Sequence, residues 1–379
     1  MTQPDIRFDK SGRLLSLDAF RGMTIAAMLL VNNAGDWDHV FAPLRHAEWH
    51  GCTATDLIFP FFLFIMGVAM AFSIARRQEQ GWDSSALLFS VIRRSVILCG
   101  LGLIISFVAY KGFGSPYHVL GVLQRIGLCY FFGSLIMLRT GARGQALWAG
   151  AILIGYCIIM KLIPVPGAGM GNLEPHLNLA AYVDTRVLGY VDPEGILGTI
   201  PAIGSVLMGV LAGHWLRDNK RDGNQKVAGF CAAGTGLFIT AALWKYTFPL
   251  NKALWTSSYV IYTTSLALFT LGTCYWIVDV QKIQRWAKPF TVYGNNAIAA
   301  YFGASVMAYS TIWIHWTDQW GRKTYLKTLL YDNLFRSWIP SLFRYCGDYI
   351  SSAAYGGAYV VLWLVVTWIM YRKQIFLKV

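Results

Sequence analysis

Leu57-Ile-Phe-Pro60-Phe-Phe-Leu-Phe-Ile-Met-Gly67-Val-Ala-Met-Ala-Phe72 runs for sixteen residues without a charged or amide side chain. A segment so apolar, close to the roughly 20 residues needed to cross a bilayer, reads as a membrane helix. Leu44-Arg-His-Ala-Glu-Trp-His-Gly-Cys-Thr-Ala-Thr-Asp56 leads straight into it, and another apolar run ends shortly before, at Val31-Asn32-Asn33. His46 is thus expected at the mouth of a membrane helix, with Asn32 and Asp56 near the same face. Imidazole moves protons near neutral pH, and bilayers tolerate polar groups poorly, so their clustering marks a site. Outward from this stretch, similar runs recur at about 15–34, 91–109, 118–138, 146–163, 196–216, 227–245, 259–278, 291–309 and 355–371. With 57–75 they predict an all-α fold, a polytopic transmembrane helix bundle of about ten spans.

Composition points the same way. Of 379 residues, 56% are hydrophobic and 13% charged, about half the charged share of soluble domains. No polar stretch is long enough to bury its own core, so residues 1–379 are expected to form a single transmembrane domain with no separate soluble one. The first apolar run carries Asp18 and Arg21 and lacks a small-residue cleavage site, so it reads as a retained helix and not a signal peptide. The net charge of +13 is spread over short loops. That argues against a nucleic-acid partner and is the footprint of the positive-inside rule. With the N-terminus inside, 19 of the 32 Lys and Arg fall in inner segments and 11 in outer ones, while Arg21 and Arg125 lie within the membrane. Both termini are then cytoplasmic, and the long segments 35–56, 164–195 and 310–354 are outside. Tyr331 to Tyr345 mixes Leu, Phe, Trp and Ile with Arg and reads as a surface-lying amphipathic stretch. Gly204, Gly209 and Gly213 allow close helix approach. Five cysteines lie in apolar runs; Cys52 and Cys346 fall in loops on one side, and the sequence leaves a disulfide between them undecided.

The remaining polar groups are few. Asp18 and Arg21 are three apart on one helix face. They are either a snorkelling ion pair or a grip on an anionic ligand at the inner mouth. Arg125 lies deeper, beside Gln124, with no acid nearby in sequence. Such an arginine faces a polar cavity or a structural partner. Asn295 and Asn296 open the ninth run, as helix caps or ligand-binding amides. His39, His46 and His50 lack the companion acids or cysteines of a zinc site, and no metal is expected.

Leu15-Ser-Leu-Asp-Ala-Phe-Arg-Gly22, then Val31-Asn32, then Arg45-His-Ala-Glu-Trp49-His-Gly51-Cys-Thr53-Ala-Thr-Asp56 and the run to Gly67 resemble the heparan-α-glucosaminide N-acetyltransferase family, its bacterial NagX-like members included. The resemblance continues in Val122-Leu-Gln-Arg-Ile126, Gly171-Asn-Leu173, Asp192-Pro-Glu-Gly195 and Tyr293-Gly-Asn-Asn296. Position 50, often Asn in this motif, is His here. The resemblance implies transfer of an acetyl group from cytosolic acetyl-CoA to the amino group of glucosamine across the membrane. His46 matches the family's catalytic histidine, and Asn32 matches an asparagine important for catalysis. Asp56 is expected to orient His46 or to bind the sugar's ammonium group. Arg21, Arg125 and the basic inner loops, with Asp18, Gln124, Asn295 and Asn296, are the candidates for holding acetyl-CoA. The animal enzymes' large luminal domain has no counterpart here, so the expected acceptor is a small amino sugar or cell-envelope glycan. The expected setting is a bacterial inner membrane, with lipid as neighbour and a homodimer left open.

The chemistry fits. A thioester is a good acyl donor, an ammonium ion is no nucleophile, and an imidazole titrating near 6.5 suits removal of its proton. His46 either carries the acetyl group itself or acts as base in a ternary complex. A proton-coupled transporter or flippase, an O-acetyltransferase of surface polysaccharide, and a structural scaffold are the alternatives. The absence of an internal repeat counts against a transporter built from inverted repeats.

Overall fold

The computed structural model describes residues 14–114, 117–317, 319 and 321–377. Arg7, Lys10, Arg13 and Lys378, counted above among the inner charges, lie outside the described residues. In chain order the helices are α1 (Leu15–Asn32), α2 (Ile58–Glu79), α3 (Ser84–Phe113), α4 (Val122–Arg139), α5 (Ala142–Leu162), α6 (Leu179–Leu188), α7 (Thr199–Arg217), α8 (Gly223–Trp244), α9 (Ser257–Tyr275), α10 (Lys288–Asn295) and α11 (Ala297–Trp313). An antiparallel ribbon of β1 (His315–Thr317) and β2 (Lys323–Tyr325) follows, then α12 (Leu326–Tyr331), α13 (Ile339–Leu342) and α14 (Gly347–Arg372). The architecture is therefore mostly helical, with one small ribbon in the 310–354 segment.

Among the described residues, nine helices are long and apolar enough to cross a membrane: α1 to α5, α7 to α9, and α14. The run expected as the ninth span, 291–309, is broken instead. Asn296 leaves helical geometry, its amide donates to the Ile375 carbonyl at 3.1 Å, and its oxygen accepts from the Leu377 backbone at 3.0 Å. The chain bends there into α10 and α11. The 17 residues of α11 rise ~25 Å, short of the ~30 Å hydrocarbon core. Three other boundaries move outward. Asp83 accepts from the Ala86 amide and starts α3 early, Gly114 ends it in the left-handed region, and α14 starts at Gly347 rather than near 355.

α1, α2, α4, α7 and α9 are the more buried spans, and α3, α5, α8 and α14 lie around them. The outer helices turn Phe107, Leu147, Ile154, Leu243, Val361 and Val365 outward, as a lipid-facing rim requires. At the centre, α2 and α7 approach closely. A Cβ on Gly209 would meet the Phe64 carbonyl oxygen at 2.0 Å, and one on Gly67 would meet that of Val206 at 2.1 Å. Glycine is what lets the backbones meet. Gly213 faces Ala71 on α2, whereas Gly204 faces Leu153 on α5.

The bundle has two unlike ends. At one, the segment holding His46 is tied to the connection before α6 and to the first turns of α14. The Trp49 indole donates to the Leu173 carbonyl at 2.9 Å, and the Gly35 backbone donates to that of Ser352 at 3.2 Å. Tyr331 to Tyr345 lies at this end as short helices with Leu334, Trp338, Leu342 and Phe343 exposed. At the other end, Leu14 and Leu377, near the two described termini, line one cavity with five arginines. All seven cysteines are free thiols, Cys52 and Cys346 included.

Candidate active site

The loop before α2 is wound around one carboxylate. Asp56 is almost fully buried. Its Oδ2 accepts from the backbone amides of Ala47 and Thr53 and from the Thr53 hydroxyl, each at 3.0 Å. Its Oδ1 lies 2.6 Å from His46 Nδ1. The Tyr259 hydroxyl donates to the Asp56 carbonyl from α9. These bonds explain the motif's spacing. Thr53 and Asp56 close a turn, Trp49 reaches Leu173, and Gly51 takes a φ of +124°, which favours glycine. His50 accepts from the Asn251 side-chain amide at 3.3 Å and so fastens a distant loop.

An ionised Asp56 at Nδ1 keeps the proton on that nitrogen and leaves Nε2 as the basic one. The His46 side chain is half exposed while Asp56 is 1% exposed. The ring therefore faces a cavity of about 490 Å³ from a fixed base. Asn32, Glu194, Lys252, Phe59, Val122 and Tyr301 also line that cavity. His39 pairs instead with Asp36 at 2.8 Å, so the three histidines of this loop serve three different partners. The Cys52 thiol, pushed up to about 12 by burial and by Asp56, is no thiolate at neutral pH.

Lys252 was not singled out in the sequence, and it reaches the pair from the loop between α8 and α9. Its Nζ lies 3.1 Å from Nδ1 and 3.4 Å from Nε2 of His46, and 3.7 Å from Asp56 Oδ1. Burial lowers its pKa, against the opposing pull of Glu194 and Asp56. Glu194 also went unread, although it stands in the Asp192-Pro-Glu-Gly195 match. It forms an ion pair at 2.8 Å with the buried Arg125 guanidinium, which also donates to Gly195 and lies over the Trp255 ring. Arg125 thus has its acid after all, from the connection between α6 and α7. It lines neither cavity and braces a wall of the His46 one.

The second cavity, about 940 Å³, opens at the opposite end. Asp18, Arg21 and Asn295 line it, together with Arg76, Arg77, Arg94 and Arg217. Arg21 pairs with Asp18 at 3.0 Å and reaches the Gly294 carbonyl at 3.5 Å. Arg94 lies over the Tyr130 ring, and its Nε is buried without a hydrogen-bond partner. Gln124 and Asn296 do not reach this cavity. Gln124 donates to Ser106 at 3.3 Å within the α3–α4 contact, and Asn296 anchors the C-terminal segment. In the sequence the arginines of α2, α3 and α7 belong to the basic inner segments that are candidates for CoA's phosphates, and folding gathers them at one mouth.

The family model described as heparan-alpha-glucosaminide N-acetyltransferase, catalytic, matches residues 13–235 of this chain. The chain belongs to this family. The heparan-alpha-glucosaminide N-acetyltransferase of Mus musculus is 27% identical to it over 441 aligned residues, covering 100% of this chain and 62% of the mouse protein. The Homo sapiens protein of that name is 29% identical over 430, covering 97% of this chain and 60% of its own length. The chain therefore spans about six tenths of the length of these curated relatives. His46, Asp56, Arg125 and Glu194 fall within the family match, and Lys252 lies beyond it.

Proposed function

We propose that this protein is an integral-membrane N-acetyltransferase. In this reading it takes an acetyl group from acetyl-CoA held at the arginine end and delivers it to the amino group of glucosamine or a related amino sugar in the His46 cavity. One observation carries the reading: a histidine oriented through Nδ1 by a buried carboxylate faces a cavity within a membrane bundle.

The acceptor arrives as an ammonium ion, and Glu194 supplies a carboxylate on the cavity wall to draw it in. His46 Nε2 takes its proton, and Asp56 steadies the imidazolium that forms. Asn32, exposed to the same cavity, donates a hydrogen bond to the oxyanion that develops on the acetyl carbonyl. The same nitrogen also suits the alternative route, in which His46 first accepts the acetyl group and then passes it on.

CoA's phosphates require fixed cations, and Arg21, Arg76, Arg77, Arg94 and Arg217 converge where they are needed. Arg94 Nε fits this role, since it is a buried donor still to be used. Asp18 holds Arg21 in place, and Asn295 adds an amide to the rim. Arg125, Gln124 and Asn296 serve the scaffold in this reading. Eleven residues of α1 separate Arg21 from Asn32, a rise of ~16 Å that an extended pantetheine arm bridges. The distribution of Lys and Arg supports an orientation with the arginine end and both termini in the cytoplasm and His46 outside, and a bacterial inner membrane is the setting this reading expects.

The test is purified protein in proteoliposomes, with acetyl-CoA on one side, glucosamine on the other, and product mass as readout. N-acetylglucosamine is expected, and His46→Ala removes it. Movement of intact glucosamine without acetylation would put a carrier in the enzyme's place.

A further inference from the structure

Lys252 lines the His46 cavity and has no part in the reaction just described. Its position is built, not incidental. The neighbouring Asn251 is fully buried. Its side-chain amide donates to the Trp49 carbonyl at 3.0 Å, and its oxygen accepts from the Leu254 backbone at 2.8 Å. The Gly51 backbone donates to Leu250 at 2.8 Å, and Trp255 takes a φ of +52°. The loop is thereby clamped onto the segment that carries His46. The clamp delivers a primary amine to within 3.4 Å of both imidazole nitrogens and 3.7 Å of Asp56. An acceptor sugar's amine needs that same place.

We propose that Lys252 is an intramolecular acetyl acceptor, acetylated on Nζ when a donor is bound and no amino sugar fills the cavity. The inference rests on the acetyltransferase reading above. The Nζ ammonium gives a proton to His46, and the free amine attacks the acetyl carbonyl. The carbonyl carbon's bond to sulfur breaks as its bond to Nζ forms, and CoA leaves as the thiol with one proton. One thioester is consumed, one amide appears, and no oxidant or further reactant is needed. Burial favours the free amine, so it appears at lower pH than on an ordinary lysine. Fixed proximity to the base supplies the rate. The product amide carries no charge, is bulkier than the amine, and occupies the acceptor's place. A chain with donor but no acceptor therefore closes its own cavity.

The experiment uses the full chain in detergent, isotope-labelled acetyl-CoA and peptide mass spectrometry. Without sugar, Lys252 is expected to gain one acetyl group about 10²-fold or more faster than the exposed Lys245 in the same sample. Glucosamine should slow this labelling, and His46→Ala should reduce it to the Lys245 rate. Lys252→Arg, which keeps the cation, should lose the label. Acetylation of glucosamine while Lys252 stays unmodified would overturn the inference and leave the enzyme reading intact. Equal labelling of Lys252 in wild type and His46→Ala would also overturn it, by showing ordinary chemical acetylation. If neither lysine nor sugar gains an acetyl group, both readings fall together.

Discussion

Asp56 shares its two oxygens among three donors of its own loop and the His46 ring. Asn at this position keeps the shape and turns one acceptor into a donor. Either a backbone amide or the ring nitrogen then faces an NH2 group, and the His46 tautomer is no longer fixed. Asp56→Asn is expected to lower turnover about 10²–10⁴-fold in protein that still purifies folded. Initial rates measured beside a thermal melt check this. An unchanged rate would leave the pair a purely structural one. His46, Asn32 and Asp56 were legible in the sequence because each adjoins an apolar run that makes a polar residue conspicuous. Lys252 was not. It meets His46 across 206 residues, and a lone lysine in a short loop carries no local signal. Arg125 was conspicuous, but its partner Glu194 sits in a distant connection, so its orientation toward the wall of the His46 cavity could not be read.

Helices were legible wherever lipid imposes them. Spans such as α2 and α7 are apolar because their backbones must satisfy themselves in hydrocarbon, and that leaves a mark on composition. What breaks a helix is tertiary. Asn296 ends α10 through bonds to Ile375 and Leu377, some eighty residues away, and a window of neighbouring residues does not contain them. Between α2 and α7 the contact is glycine against backbone. A leucine side chain at Gly209 must displace the Phe64 carbonyl, which lies 2.0 Å from where Cβ would stand. Gly209→Leu should cost at least the ~1–3 kcal/mol typical of overpacking. The readout is a lower unfolding temperature and a smaller monodisperse fraction in detergent. Equal stability would mean the two helices separate without penalty. Gly236, where an added Cβ meets nothing within 4 Å, is the control position on lipid-facing α8.

Across the whole molecule, the chain sorts its chemistry to opposite ends, with arginines at one and the histidine at the other. Glu48 is exposed in the His46 loop. In Glu48→Cys, an impermeant thiol reagent should label intact cells from outside; labelling only after the inner face is opened would reverse the orientation proposed from charge. Between the two cavities the wall is thin. Phe59, Val122 and Tyr301 face one, and Phe62, Ile126 and Ala297 face the other. On each of the three helices the two faces lie about one turn apart, ~5 Å. With both cavities open to their own ends, the membrane's voltage falls mainly across that wall. An elementary charge passing through it exchanges about 2.3 kcal/mol with the field per 100 mV. In the proposed reaction the acetyl group leaves the thioester without its bonding electrons, so its passage is electrically silent only when a proton from the acceptor amine returns through the wall to the CoA thiolate. Turnover in proteoliposomes is then expected to be indifferent to an imposed diffusion potential, and a steep slope would mean that the proton leaves on the acceptor's side instead. Acetyl one way and proton the other would make the proposed delivery one to which the cell's electrical energy is irrelevant.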